Sequence, residues 1–196
     1  MLKRSGDVVS STILLVVLAP LFAVTAVAIK TVSPGPVFFW QVRVGKDGRH
    51  FRLCKFRTMF DGAHLLHERL AAGNGGDGPV LKIVADPRMH PLGAFLRRSS
   101  IDELPQLWNV LRGDMSLVGP RPALPYEVAT YHRAYLRRLC AMPGMTGLWQ
   151  VSGRANVPFR RWMAMDAWYV RHWSPIVDLW LLVRTVPAVL RRNGAW

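Results

Sequence analysis

VVSSTILLVVLAPLFAVTAVAI, residues 8–29, is a run of 22 residues without a charge. At about 1.5 Å per residue, a helix of that length reaches across the hydrocarbon core of a bilayer. Pro20 lies just past its middle, and an interior proline removes one backbone hydrogen bond and kinks a helix. Lys3 and Arg4 precede the run; Lys30, Arg43, Lys46, Arg49, Arg52, Lys55 and Arg57 follow it. A straight span must place one of these cationic sets outside, against the tendency of positive loops to stay in the cytosol. A helix broken at Pro20 that dips in and returns keeps both sets on the cytosolic side. Ser10, Ser11, Thr12 and Thr25 can satisfy backbone groups freed at such a break. On these residues alone, three readings stand open: a straight span, a re-entrant hairpin and a buried soluble helix. A cleaved signal peptide fits poorly, because the run is too long and lacks a small-residue cleavage site. Asp7, at the edge of the run, is expected to pair with Lys3 or Arg4 or to cap the helix.

The composition points the same way. The chain has 196 residues, which suits one domain with a real core. Its formal charge is +14, with 26 basic residues against 12 acidic ones, and arginine supplies most of the excess. That balance calls for polyanionic partners, and arginine suits bidentate phosphate contacts. With 51% hydrophobic residues and 8 tryptophans, a membrane surface carrying phosphates fits better than a merely solubilising charge. Nucleic acid is disfavoured, because the tryptophans cluster in expected helices rather than interleaving with cations. Cys54 and Cys140 have no metal-type spacing and are expected to be reduced, buried thiols. His64 and His67 are expected on a solvated helix face.

Residues 37–44 alternate and are β-branched or aromatic, so they read as a strand. Asp47-Gly48 makes a hairpin turn, and residues 50–56 form the second strand. In KFRTM, residues 55–59, Lys55 and Arg57 share one strand face. A helix is expected over residues 61–72, a flexible glycine-rich loop over 73–79 without a phosphate-loop pattern, a turn at Asp86-Pro87-Arg88, and a short helix over 92–98.

Residues 99–122, SSIDELPQLWNVLRGDMSLVGPRP, place two adjacent carboxylates, Asp102 and Glu103, directly after Arg97 and Arg98. Ser100 and Glu103 match a capping box. Pro105 argues against it, because it would fall where a helical donor is already needed. With Asp102 near the helix start, Pro105 falls in the first turn, where its missing N–H costs nothing. A helix from the acids to about residue 111 follows, its positive end suited to phosphate. Neighbouring positions point different ways, so one carboxylate can attack while the other handles a proton or a metal. Arg121, held between Pro120 and Pro122, can present one guanidinium rigidly, and a cis bond before either proline is possible. Further on, a basic helix over residues 126–138 is expected at the membrane surface, and a loop and short strand over 146–154. A helix over 159–170 follows, with Asp166 pairing with Arg154 or touching a nucleotide. An interfacial or packed helix over 176–190 follows that, too short for a second span, with Arg191 and Arg192 staying cytosolic.

These motifs, in this order, resemble the bacterial sugar transferases, the monotopic phosphoglycosyl transferases that include undecaprenyl-phosphate hexose-1-phosphate transferases. The resemblance runs from Lys3, Arg4 and Asp7 through KFRTM (55–59), LRRSSIDELPQL (96–107), RGDMSLVGPRP (112–122) and PGMTGLWQVSGR (143–154) to DAWYVRHWS (166–174). It implies an α/β, mainly helical, monotopic membrane fold. That fold has an N-terminal re-entrant helix-break-helix centred on Pro20, a small β-hairpin and interfacial amphipathic helices. Residues 1–30 would be the re-entrant part and 31–196 the cytosolic and interfacial part of a single catalytic domain. It implies a UDP-sugar donor, an undecaprenyl phosphate acceptor and Mg²⁺. Asp102 would be the nucleophile and a metal ligand, and Glu103 a base, a positioner or a second metal ligand. Lys55, Arg57, Arg97, Arg121 and Arg154 would bind phosphate and nucleotide-sugar. The place implied is the bacterial inner membrane with the site facing the cytoplasm, surrounded by membrane lipid, with a homodimer possible. Longer relatives carry extra membrane helices and a regulatory domain, so this chain is expected to be the catalytic unit alone. From Trp149 onward it is more similar to the galactose- and glucose-transferring members. The rival reading is a non-enzymatic, membrane-anchored basic adaptor for anionic lipid or nucleic acid; it leaves an acidic pair in a basic setting unexplained.

Overall fold

The computed structural model describes residues 2–63, 79 and 86–191. Beyond Ala63, the helix expected over 61–72 lies outside the described residues. So do the loop over 73–78, His64, His67 and Arg192.

Helices α1 (Leu2–Val17) and α2 (Ala19–Val32) meet at Leu18 and are bent by 59°. Pro20 sits in the first turn of α2, where its missing donor and fixed φ start a helix rather than interrupt one. Among the described residues no single helix is long and apolar enough to cross a membrane, but this bent pair passes that test together. Its outward residues Val9, Ile13, Val16, Val17, Val24 and Val27 are each more than half exposed. The inward face of α1 is polar and anchored. Lys3 bonds Val118 O at 3.1 Å and pairs with Asp178. Arg4 bonds Val110 O, and Leu111 O at 2.7 Å, closing the end of α4 (Gln106–Arg112). Asp7 pairs with neither cation and is no cap. It is buried, and its Oδ1 accepts from the Leu117 backbone at 3.1 Å. Positions 3, 4 and 7 share one helix face, so each finds a different free backbone group on the packed body.

Strands β1 (Phe38–Val44) and β2 (His50–Phe56) form the expected antiparallel hairpin, with Phe38 opposite Phe56. Asp47 and Gly48 take φ of 55° and 79°, the left-handed turn that an Asp-Gly pair allows. The two faces of β2 feed two core clusters. Phe56 packs with Ile29 of α2 and Leu96 of α3 (Gly93–Arg98). Leu53 packs with Val110 of α4 and with Met115.

A parallel pairing was not foreseen. β3 (Ser116–Val118) lies beside β4 (Gly144–Thr146). The backbones approach so closely at their ends that a Cβ on Gly119 would sit 2.2 Å from Met142 O. The basic stretch expected as one helix over 126–138 divides into α5 (Pro125–Ala129) and a 3-10 segment, Arg133–Cys140. The His132 ring caps the second piece, accepting from Ala134 N at 3.3 Å. Tyr131 and Tyr135 turn inward onto Phe159 instead of outward. After α6 (Leu148–Val151) come α7 (Phe159–His172) and α8 (Pro175–Arg191), with Pro187 inside the last helix. Ile176, Leu179, Val183, Val186 and Leu190 form an exposed apolar stripe along α8 at helical spacing. Both cysteines are free; Cys54 is buried as expected, but Cys140 is exposed. Peptide bonds among the described residues are trans, those before Pro120 and Pro122 included.

Candidate active site

The acidic pair sits on a short 3-10 turn, Ile101–Glu103, just before α4. Pro105 is the residue at which α4 begins, so the helix starts after the acids rather than at them. Ser100 is no capping residue. It takes a left-handed φ of 57°, and its side chain makes no cap bond. This kink turns the chain from α3 toward the cleft and leaves Asp102 buried, at 6% exposure.

Lys55, on the inner face of β2, reaches both acids. Its Nζ is 2.7 Å from Glu103 Oε1 and 3.9 Å from Asp102 Oδ2. Arg121 Nη1 lies 3.9 Å from Glu103 Oε1, and its guanidinium sits over the Trp149 ring at 5.8 Å. Arg97 Nε donates to Thr58 Oγ1 at 3.1 Å, and Arg154 Nη2 to Ser100 Oγ at 3.3 Å. Arg57 is engaged differently. Both terminal nitrogens donate at 2.6 Å to the carbonyls of Ser33 and Pro34, tying β2 to the end of α2.

The two carboxyls are driven apart electrostatically. Burial, with the Glu103 charge adding, pushes Asp102 up to about 6 against the pull of Lys55, Arg97 and Arg121. Burial would raise Glu103 as well, but Lys55, Arg121 and Arg154 outweigh it and hold that carboxylate well below its usual range. Glu103 is therefore the fixed anion of the pair, and Asp102 the poised one.

Lys55, Arg57, Arg97, Asp102, Glu103, Arg121 and Arg154 all line one cleft of about 830 Å³. Leu14 and Leu18 of the bent helix pair line it too, as do Phe38 and Phe39 of the hairpin and Leu182 and Val189 of α8. A cationic pocket around two acids thus opens along apolar walls. Among the described residues, no group of three or more His, Cys, Asp and Glu side chains gathers to hold a metal. Asp102 and Glu103 supply two adjacent carboxylates, the donor type Mg²⁺ takes when substrate phosphates complete its shell.

Asp166 lies elsewhere. It forms a buried ion pair with Arg138 at 2.8 Å, not with Arg154. Arg138 also donates to Arg121 O at 2.7 Å and so braces the Gly-Pro-Arg-Pro turn from behind. Three cleft residues escaped the reading of the sequence. Arg43 is only 5% exposed, and both Trp149 Nε1 and Gln150 Oε1 are buried without a hydrogen-bond partner. A signal for Arg43 was present: alternation along β1 puts Gln41 and Arg43 on the strand face that carries Lys55 across the hairpin.

The cleft thus sets two carboxylates and a ring of cations beside a bent, apolar helix pair. The chain belongs to the bacterial sugar transferase family, whose model matches residues 1–192. It is 40% identical over 200 residues to the exopolysaccharide production protein ExoY of Rhizobium meliloti, covering all of this chain and 88% of that protein. It is 41% identical over 204 residues to the undecaprenyl-phosphate galactose phosphotransferase of Salmonella typhimurium, and there it spans only 42% of the relative. The UDP-glucose:undecaprenyl-phosphate glucose-1-phosphate transferase of Caulobacter vibrioides is 42% identical over 204 residues, 99% of this chain and 72% of that one.

Proposed function

We propose that the protein transfers a sugar 1-phosphate from a UDP-sugar, UDP-galactose or UDP-glucose, to undecaprenyl phosphate. The observation that carries this reading is the convergence of one buried carboxylate, one ionised carboxylate and the cations Lys55, Arg57, Arg97, Arg121 and Arg154 in a cleft with apolar walls. In the first step an Asp102 oxygen attacks the phosphorus bearing the sugar. The bridging P–O bond breaks, and UMP leaves with the bridging oxygen. In the second, a phosphate oxygen of the acceptor attacks that same phosphorus, the aspartyl–phosphorus bond breaks, and the carboxylate is restored. The product is a polyprenyl diphosphate sugar. Arg97, Arg121, Lys55 and Arg154 stabilise charge on the transferring phosphoryl group, and Glu103 orients the acceptor phosphate or takes its proton. Arg57 holds the hairpin to α2 and contributes its charge from the cleft wall. Asp102 and Glu103 would hold Mg²⁺, which supplies charge neutralisation to the diphosphate.

The α1–α2 pair enters the bilayer from the cytoplasmic side as a re-entrant hairpin, with α8 at the interface and residues 1–196 acting as one catalytic unit. The 59° bend, the exposed apolar faces and the cationic flanks support that placement. The reaction would be the first membrane step of exopolysaccharide, capsule or O-antigen synthesis, and relatives named as exopolysaccharide production proteins support the first of these. Replacing Asp102 by Asn tests the assignment. UMP release from a UDP-sugar should vanish while membrane association persists; undiminished release would rule out Asp102 as the nucleophile.

A further inference from the structure

Arg43 is a buried cation without a counterion. At 5% exposure its guanidinium donates from Nη1 to Pro122 O at 3.0 Å and from Nη2 to Gln41 Oε1 at 2.6 Å, while Nε has no partner. No carboxylate of the described residues pairs with it. Glu127 and Glu103 act on it only through their fields, and the Glu127 carboxylate is engaged with Leu124 N at 2.8 Å. Burial first, and the charge of Arg121 second, depress its pKa to about 10. A buried charge left this way is costly, and proteins keep such groups where a ligand compensates them.

Its position says which ligand. Arg43 lines the same cleft as Asp102, and it also lines a small recess with Lys55, Glu103 and Arg121. Arg43 and Arg121 grip one rigid turn, the first by bonding Pro122 O and the second by belonging to it. We infer that Arg43 and Arg121 form a two-guanidinium clamp for one phosphoryl group, completed only when that group is bound. The inference rests on the proposed reaction, which brings two such groups into the cleft: the diphosphate of the donor and the monophosphate of the lipid acceptor. A clamp of this kind adds charge-assisted bonds to an anion and returns the desolvation that Arg43 bears in the free protein.

The test compares wild type, Arg43→Met and Arg43→Lys in full-length, detergent-solubilised protein. The upward shift in Tm on adding UDP, and separately on adding farnesyl phosphate, is read within each variant, so differences in basal stability cancel. Loss of an uncompensated buried charge should leave the ligand-free Tm of Arg43→Met unchanged or higher. Its apparent affinity for one of the two probes should fall by about tenfold or more, with Arg43→Lys in between. Loss confined to UDP assigns the clamp to the donor, and loss confined to farnesyl phosphate assigns it to the acceptor. Equal shifts in all three proteins for both probes would overturn the clamp, whatever the basal Tm. UMP release by wild type is measured alongside. Its absence would defeat the proposed reaction, and its presence with unchanged probe binding would defeat the clamp alone.

Discussion

At the scale of single residues, Lys55 is the hinge of the proposed chemistry. One ammonium 2.7 Å from Glu103 and 3.9 Å from Asp102 keeps two neighbouring acids from repelling each other out of the cleft. In the proposed reaction Asp102 attacks only when ionised, and its carboxyl is lifted to about 6 by burial. UMP release in a single turnover should therefore rise with pH through about 6 and fall below it, rather than persist toward the ordinary aspartate range of about 4. Lys55 is the largest influence holding that value down. Lys55→Met should move the midpoint to higher pH and cut the rate by about a hundredfold or more. A midpoint unmoved in Lys55→Met would mean that Lys55 does not govern the nucleophile. The two acids and the cations near them could be read from the sequence, because an acidic pair between arginines is conspicuous in so basic a chain. Arg43 could not be read with the same ease. Its charge counted as one of many flanking cations, and strand alternation alone hinted at the burial that separates it from the exposed Arg49 and Arg52.

At the scale of elements, α1 and α2 followed from the apolar run, and Pro20 located their junction to within two residues. Proline acts there by starting α2, with Leu18 left as the one residue between the helices. Pro20→Ala restores the donor that a continuous helix needs. Single cysteines placed at the two ends of residues 8–29 should be labelled from the same side of the membrane in the parent protein. Labelling from opposite sides there would contradict the hairpin, and Pro20→Ala should shift the pattern toward that outcome. The hairpin of β1 and β2 was legible for a similar reason, since alternation and an Asp-Gly turn are local signals. The β3–β4 pairing was not. Each strand has three residues, they lie far apart in sequence, and what joins them is a close backbone approach at Gly119. Gly119→Ala would place a Cβ 2.2 Å from Met142 O and force the strands apart. A loss of about 2 kcal/mol or more is expected, read as a lower Tm together with weakened UDP binding, because the chain runs from these strands directly into Arg121 and Trp149.

At the scale of the whole molecule, charge and apolar surface divide the labour. On the proposed placement, the formal charge of +14 would draw the protein to anionic lipid, while the outer faces of α1, α2 and α8 would offer apolar surface to the bilayer itself. Salt screens the first contribution and not the second. Washing membranes with about 1 M salt should leave the protein bound, and detergent should release it; release by salt alone would mean that no helix is inserted. The mainly helical architecture and its one β-hairpin were legible in the sequence, and the second sheet was not. The burial of Asp166 against Arg138 was not, because it depends on α7 and the 3-10 segment meeting in space.

The central claim is that Asp102 carries the sugar phosphate between the two substrates. Incubating the purified protein with a UDP-sugar labelled in the sugar, without any polyprenyl phosphate, tests it most directly. The account predicts UMP release, with a labelled sugar-phosphoryl group recovered on the peptide containing Asp102 and discharged when acceptor is added. UMP release that waits for the acceptor, with no labelled peptide, would contradict it.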